Sequence, residues 1–249
     1  MKKLFDIARF GWLLKAELYR SKRGIIMAFA ITFGLLLLNL WLEPLVSTSP
    51  VYDAHPENYA LALFMGGFAL SSLAFSDLGN HLKQYHYLAL PASTLEKLLT
   101  MWLLTTLGWV LSFSLMYYVY TLIANPLGQL LFPQVTFEAY QPLGSFSLRS
   151  IHYYLVLQGA FLVGAAHFRG YVFVKTLLVL VLFGSLCVGL GYLMISGLSN
   201  AENECLTNLE NKPGTLFYGF WQSVQWVFWW LFAPLCWVVT FFGLKEKEV

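Results

Sequence analysis

Residues 24–42 run without a single charged side chain. As an α-helix, rising about 1.5 Å per residue, such a run nearly spans the ~30 Å hydrocarbon core of a bilayer. A water-soluble fold seldom leaves so long an apolar stretch unbroken, and the pattern recurs at 59–76, 98–124, 151–166, 174–196 and 217–243. Composition agrees: 58% of residues are hydrophobic and 11% charged, against roughly 25% charged in an ordinary soluble domain. Lipid offers no partners for open backbone groups, and the alternation of a membrane barrel is missing, so helices are expected. The predicted fold is an all-α integral membrane protein, a single transmembrane domain over 1–249 with six transmembrane helices.

Lys and Arg set the expected orientation. Seven lie before the first run. Lys83 and Lys97 follow the second, Arg169 and Lys175 the fourth, Lys245 and Lys247 the sixth. Thirteen of the fifteen basic residues thus fall on one side of a six-span threading, leaving Arg149 and Lys212 on the other. The positive-inside rule then places both termini in the cytoplasm. Dropping any one span destroys this agreement, so the short 151–166 run is kept.

The basic segment 1–23 is amphipathic. Leu4, Ile7, Gly11, Leu14 and Leu18 share one arc with Phe5, Ala8, Trp12 and Tyr19, while Lys2, Lys3, Asp6, Arg9, Glu17 and Arg20 take the opposite arc. Lys15 breaks the pattern but can snorkel. This predicts an N-terminal amphipathic interfacial helix, an elbow lying in the membrane surface ahead of the first span. The alternative is a solvated tail that only enforces topology. The apolar run after it has span length and no small-residue cleavage site, so it is expected as a retained helix.

Several chemistries find no support in the residues. The net charge of +2 is too balanced to suggest nucleic acid. No Asp, Glu, Lys or Arg lies near the middle of a run, which argues against a proton-driven carrier. No Ser-His-Asp set, paired-carboxylate cleft or His-Glu-x-x-His element occurs, so no catalytic, cofactor or metal site is expected. His55 and His152 fall on the outer side and His81, His86 and His167 on the inner side, all at run ends or in connections. They do not face one another as a haem pair must, and His81 and His86 lack the Cys or acidic partners of a zinc site. Cys187, Cys205 and Cys236 form no spaced set. The polar residues within runs are Asn39, Gln158, Gln222 and Gln225. Either they line a substrate path or they make interhelical hydrogen bonds. Small residues four apart, Gly67 with Ser71, Ala160 with Gly164 and Ser185 with Gly189, allow close helix approach within the chain or between two copies.

The connection 77–97 carries the most information. Residues 80–90 are predicted to form a short helix, with His81, Lys83, Gln84, Tyr85, His86 and Tyr87 beneath the membrane, ended by Pro91. Ser93 and Glu96 then have the spacing of a capping box for the third span. Such a helix is either an ordinary interfacial connection or a docking surface for a cytoplasmic partner.

From Tyr87 the sequence reads Tyr-Leu-Ala-Leu-Pro-Ala-Ser-Thr-Leu-Glu-Lys-Leu-Leu. This resembles the stretch after the second span in type-two (ABC-2-like) permease subunits of ATP-binding-cassette exporters. The layout is similar too: an elbow helix, six spans and cytoplasmic ends in about as many residues. The resemblance covers some ten residues as motif, and Thr94 stands where the family often has Arg. It implies a bacterial cytoplasmic (inner) membrane protein that pairs with itself or a related permease and is driven by a separate nucleotide-binding ATPase. It makes Asn80, His81, Lys83, Gln84 and Tyr87 candidates for coupling to that ATPase, and Pro91, Ser93 and Glu96 the residues that set the turn into the next helix. The chain has no Gly-x-x-x-x-Gly-Lys-Ser/Thr loop, so ATP is expected on the partner and no enzyme activity on this chain. Two other readings stay open: a membrane anchor or scaffold that transports nothing, and a cofactor-binding membrane enzyme or electron carrier.

Overall fold

The computed structural model describes residues 6–46, 51–52, 55–79, 84, 92–205 and 213–248. Six long helices account for nearly all of them: α1 Ile7–Val46, α2 His55–Leu73, α3 Thr94–Leu131, α4 Ser145–His167, α5 Val172–Cys205 and α6 Pro213–Glu248. A 3-10 turn, Ser76–Gly79, follows α2. Two short strands, β1 Val51–Tyr52 and β2 Thr136–Phe137, pair in parallel. Among the described residues, four helical stretches are long and apolar enough to cross a membrane: His55–Leu78, Thr94–Leu131, Val172–Leu193 and Phe228–Lys247.

Two boundaries differ from expectation. The elbow over 1–23 and the run 24–42 are not separated: α1 continues from Ile7 to Val46. Gly24, at the expected joint, lowers helix stability by only ~1 kcal/mol relative to Ala, which flanking helix on both sides outweighs. The third run, expected over 98–124, continues through Pro126, which lies inside α3, to Leu131. That end is held by its neighbours. Asn125 bonds His55 and the Glu138 carbonyl, and Gly128 lies directly against the Phe137 ring. The predicted helix over 80–90 falls outside the described residues except for Gln84, which is helical.

α4 covers the predicted 151–166 span but is not among the four stretches long and apolar enough to cross a membrane. It is instead the most enclosed helix. Tyr154, Gln158, Phe161, Leu162 and Ala166 are all essentially inaccessible, against α2, α5 and α6. A helix surrounded by protein needs less hydrophobicity than one surrounded by lipid. α5 shows the opposite case, with only 6% of its apolar window buried. A helix apolar all round and exposed needs a lipid or protein environment.

Two buried clusters stack along the bundle. One is aromatic and joins Tyr59 of α2, Trp109, Phe113, Tyr117 and Tyr120 of α3, Tyr140 and Tyr154. The other joins Phe75 and Leu78 after α2, Leu98 and Met101 at the start of α3, Leu162 and Ala166 late in α4, and Leu244 late in α6. The ends of α2, α4 and α6 therefore meet the start of α3 at one end of the molecule. These are the ends to which the charge pattern assigns a common side. Lys247 donates to the Ala166 carbonyl there, satisfying one of the carbonyls that the last turn of α4 leaves open.

α3 is not uniform. Leu104–Gly108 forms a π turn, a one-residue widening of the helix. The Thr105 carbonyl in it accepts a hydrogen bond from the Tyr154 hydroxyl (2.6 Å).

Candidate functional site at the end of the bundle

Helix α3 begins with the predicted capping box. Ser93 is extended (φ −71°, ψ 156°), its Oγ accepts from the Glu96 N–H (3.2 Å), and Glu96 Oε2 accepts from the Ser93 N–H (2.8 Å). Glu96 does more than cap. Its Oε1 accepts from the Asp6 N–H (2.8 Å) and from Arg9 Nη2 (3.1 Å). Asp6 in turn caps α1 through its own Oδ1, which accepts from the Ala8 N–H (2.9 Å). One fully buried carboxylate thus ties the starts of α1 and α3 together. Glu96 is a clamp rather than part of an exposed coupling surface, and Lys97 beside it is buried as well.

Further along α1 a second contact joins the same helix to the end of α2. Arg20 Nη1 lies 2.9 Å from Asp77 Oδ2, and Arg20 Nη2 also pairs with Glu17 Oε1. Glu17 is only 3% exposed. Burial pushes its carboxyl above the usual carboxylate range; Arg20 counteracts this and the nearby Asp77 charge adds to it. Both ends of the connection 77–97 are therefore bonded to α1, through Asp77 at one end and Glu96 at the other.

The polar arc of α1 faces the protein, not water. Leu13 and Glu17 are buried, whereas Ile7, Trp12, Leu18 and Tyr19 of the apolar arc are exposed. Two lysines lie over these outward aromatics, Lys15 over Trp12 (5.8 Å) and Lys22 over Tyr19 (3.8 Å), where a cation meets the negative ring face.

Beside the Glu17–Arg20–Asp77 group, a cavity of about 500 Å³ opens between α1, α2 and α3. Its polar end is formed by these three residues with Ser21 and Ser76, and its walls include Ile25, Leu70, Leu73 and Met101. Sequence reasoning missed this cluster. The available signal was a lone Glu three residues before Arg20 in a basic segment, with an acidic residue closing the next apolar run.

The other candidates are dispersed. Asn80, His81, Lys83, Tyr87 and Pro91 lie outside the described residues; Gln84 is half-buried. Asn39 donates from Nδ2 to Asn58 Oδ1 (2.6 Å), linking α1 to α2. Gln158 is wholly buried: Thr106 Oγ1 donates to its Oε1 (3.0 Å), and its Nε2 donates to Thr105 Oγ1 (2.7 Å). Gln222 and Gln225 belong to α6, but their side chains lie outside the described residues. Gln158 therefore serves the interhelical bonding that was the alternative to a substrate path. Gln158→Leu is expected to destabilise the detergent-solubilised protein by about 1–3 kcal/mol, because both threonine hydroxyls lose a partner. The triple variant with Thr105→Val and Thr106→Val is expected to recover most of the melting temperature. An unaltered melting temperature for Gln158→Leu alone would remove this structural role.

At the opposite end, His55 is buried at the start of α2. Its Nε2 bonds Asn125 Oδ1 (2.8 Å), and its backbone carbonyl accepts from the Tyr117 hydroxyl (2.9 Å). His55 thus makes hydrogen bonds within the protein, as expected of a histidine at a helix end.

No protein-family model matches the chain, and no curated protein or solved structure matches it.

Proposed function

We propose that this chain is the permease subunit of an ATP-driven exporter of the type-two class, working with a separate nucleotide-binding ATPase. In this reading all six helices cross the membrane, α1 after an amphipathic first half at the cytoplasmic interface. Both termini are cytoplasmic, the membrane is a bacterial inner membrane, and two copies, or one copy and a related permease, enclose the substrate path. The ATPase docks on the connection 77–97, with Asn80, His81, Lys83, Gln84 and Tyr87 as the coupling surface.

The observation that supports this reading most is the double attachment of that connection to α1. Asp77 holds one end through Arg20, and Glu96 holds the other through Asp6 and Arg9. A load applied to the connection would reach α1 at two points along one continuous helix. α1 runs on into the first apolar run, so displacement at the docking surface would be delivered to a span as a rigid-body shift. A simple interfacial loop has no need of two such ties.

Affinity purification of the tagged protein, mildly solubilised from its native membrane, tests the reading. An ATPase subunit is expected to co-purify, and the double variant His81→Glu/Lys83→Glu is expected to release it while the permease stays folded. Failure to recover any ATPase from the native membrane would overturn the proposal. Recovery of a partner without ATP hydrolysis would instead identify an anchor.

A further inference from the structure

The first half of α1 turns a cationic and aromatic face away from the bundle. At about 100° per residue, Lys15 and Lys22 lie at the middle of its exposed arc, one heptad or about 10.5 Å apart along the axis. Ile7 and Leu18 flank them on one side, Trp12 and Tyr19 on the other, and all four are exposed. Each ammonium rests over one of the rings, Lys15 over Trp12 and Lys22 over Tyr19. No ion pair joins either lysine to a carboxylate among the described residues. Glu17, the acid of this half, is buried on the opposite side of the helix. Among residues 7–22, every exposed charged side chain is therefore a lysine or an arginine. With its 40 residues, α1 is about 60 Å long, twice the ~30 Å hydrocarbon core. With the charge-free run 24–42 in that core, residues 7–23 lie at its surface. The arc faces sideways there, because the other side of α1 is tied to α3 and to the turn after α2 through Arg9 and Arg20.

We propose that this face binds the headgroups of anionic phospholipids, with Lys15 and Lys22 on the phosphates and Trp12, Leu18 and Tyr19 against the upper part of the acyl chains. An ammonium has three donors, and a ring beneath it covers one side only, so N–H groups remain for phosphate oxygens. A zwitterionic headgroup carries its own cation beside the phosphate and repels the lysines; an anionic headgroup does not. A lysine near an anionic membrane surface is worth roughly fivefold in affinity. An acidic protein would match the charges but leave the large apolar side chains on both flanks of the lysine row without partners. A leaflet offers phosphate at one depth and acyl chain at the next, which suits a basic helix face with Trp and aliphatic neighbours. The same helix continues into the apolar run, where Leu35 and Leu38 are exposed, so the lipid-facing side of α1 is continuous with this one. An anionic leaflet would thus hold the outer side of the helix whose inner side carries both ties to the connection 77–97. The proposal rests on the membrane placement of α1 and not on transport, because binding is read on this chain without an ATPase.

The test titrates the full-length protein, in non-ionic detergent micelles, with phosphatidylglycerol and separately with phosphatidylcholine of the same acyl chains. Native mass spectrometry counts the lipids retained per chain. Phosphatidylglycerol is expected to bind saturably and at least about tenfold more tightly than phosphatidylcholine (~1.4 kcal/mol). The double variant Lys15→Gln/Lys22→Gln is expected to remove most of that preference, and Lys15→Arg/Lys22→Arg to keep it. Lys175→Gln/Lys245→Gln is the matched control, two exposed lysines elsewhere on the chain, and is expected to leave the preference within about twofold of the unaltered protein. Equal affinities for the two lipids would overturn the proposal. So would equal losses in the two Gln pairs, which would assign the preference to overall charge rather than to α1. A dimer that is lost in Lys15→Gln/Lys22→Gln, with lipid retention unchanged, would assign the face to a second copy and overturn it as well. All four positions are exposed, so the variants are expected to fold, and the comparison of the two lipids on the unaltered protein decides the charge preference without them.

Discussion

Glu96→Ala is expected to lower the stability of the detergent-solubilised protein by about 2–4 kcal/mol, the sum of a lost helix cap and lost hydrogen bonds to a charged group. Limited proteolysis is expected to cut the first turns of α1 much faster than in the unaltered protein. The reason lies in what one carboxylate does: it accepts from the Ser93 and Asp6 amides and from Arg9. Without it, two helix starts lose a shared partner. Glu96→Gln is expected to be milder, because glutamine at the third helical position still completes a capping box while the charge attracting Arg9 is gone. The order Ala worse than Gln, read as melting temperatures and cleavage rates, is therefore the diagnostic result. If Glu96→Ala melts normally and its N-terminus stays protected, the clamp does not hold α1. Under the transport reading, the same variant is also expected to uncouple ATP hydrolysis from any movement of the spans, even where the ATPase remains bound.

Gly67→Val is expected to cost about 2–4 kcal/mol, combining overpacking with loss of one buried hydrogen bond. A Cβ at Gly67 would fall within the ring of Tyr154. Tyr154 is completely buried, its hydroxyl donates to the Thr105 carbonyl in the π turn of α3, and its other face meets Phe68 (5.8 Å), which stacks on Phe161 (4.3 Å). The ring has nowhere to retreat without breaking the α2–α3–α4 junction. Gly189→Val is the matched control. Nothing lies within 4 Å of that position on α5, and replacing glycine in a helix interior by valine slightly favours the helix. The two variants are expected to separate clearly in melting temperature and in the fraction recovered as monodisperse protein. Equal tolerance of both would mean that α2 does not pack on α4 as described. Gly164 gives the same contrast between α4 and α5, where Thr176 occupies the space an added methyl would need.

These two sites show where sequence was sufficient and where it was not. The Ser93–Glu96 cap was legible because it is local: four residues, one hydroxyl and one carboxylate determine it whatever surrounds them. That Glu96 also holds Asp6 and Arg9 was not legible, since those partners lie some ninety positions away and nothing in their spacing records the meeting. The small-residue pairs behaved similarly. All three looked alike in sequence, yet Gly67 and Gly164 are filled by neighbouring side chains and Gly189 is not.

The sequence by itself determined that the chain is helical and apolar enough for a membrane, because span length and a shortage of charge are properties of the chain alone. It also marked the polar and apolar arcs of the first segment, since a 3.6-residue period depends on nothing but order. Only the tertiary structure decided which way those arcs turn. The polar arc of α1 faces inward because Asp77 and Glu96, brought in by α2 and α3, satisfy its charges better than an apolar neighbour could. It decided too that α4, over the shortest of the predicted runs, is enclosed by other helices, which rather than lipid meet its Gln158 and Tyr154. Hydrophobicity is additive along a sequence and can be read from it; the pairing of buried polar groups depends on distant partners and emerges only when the helices are packed.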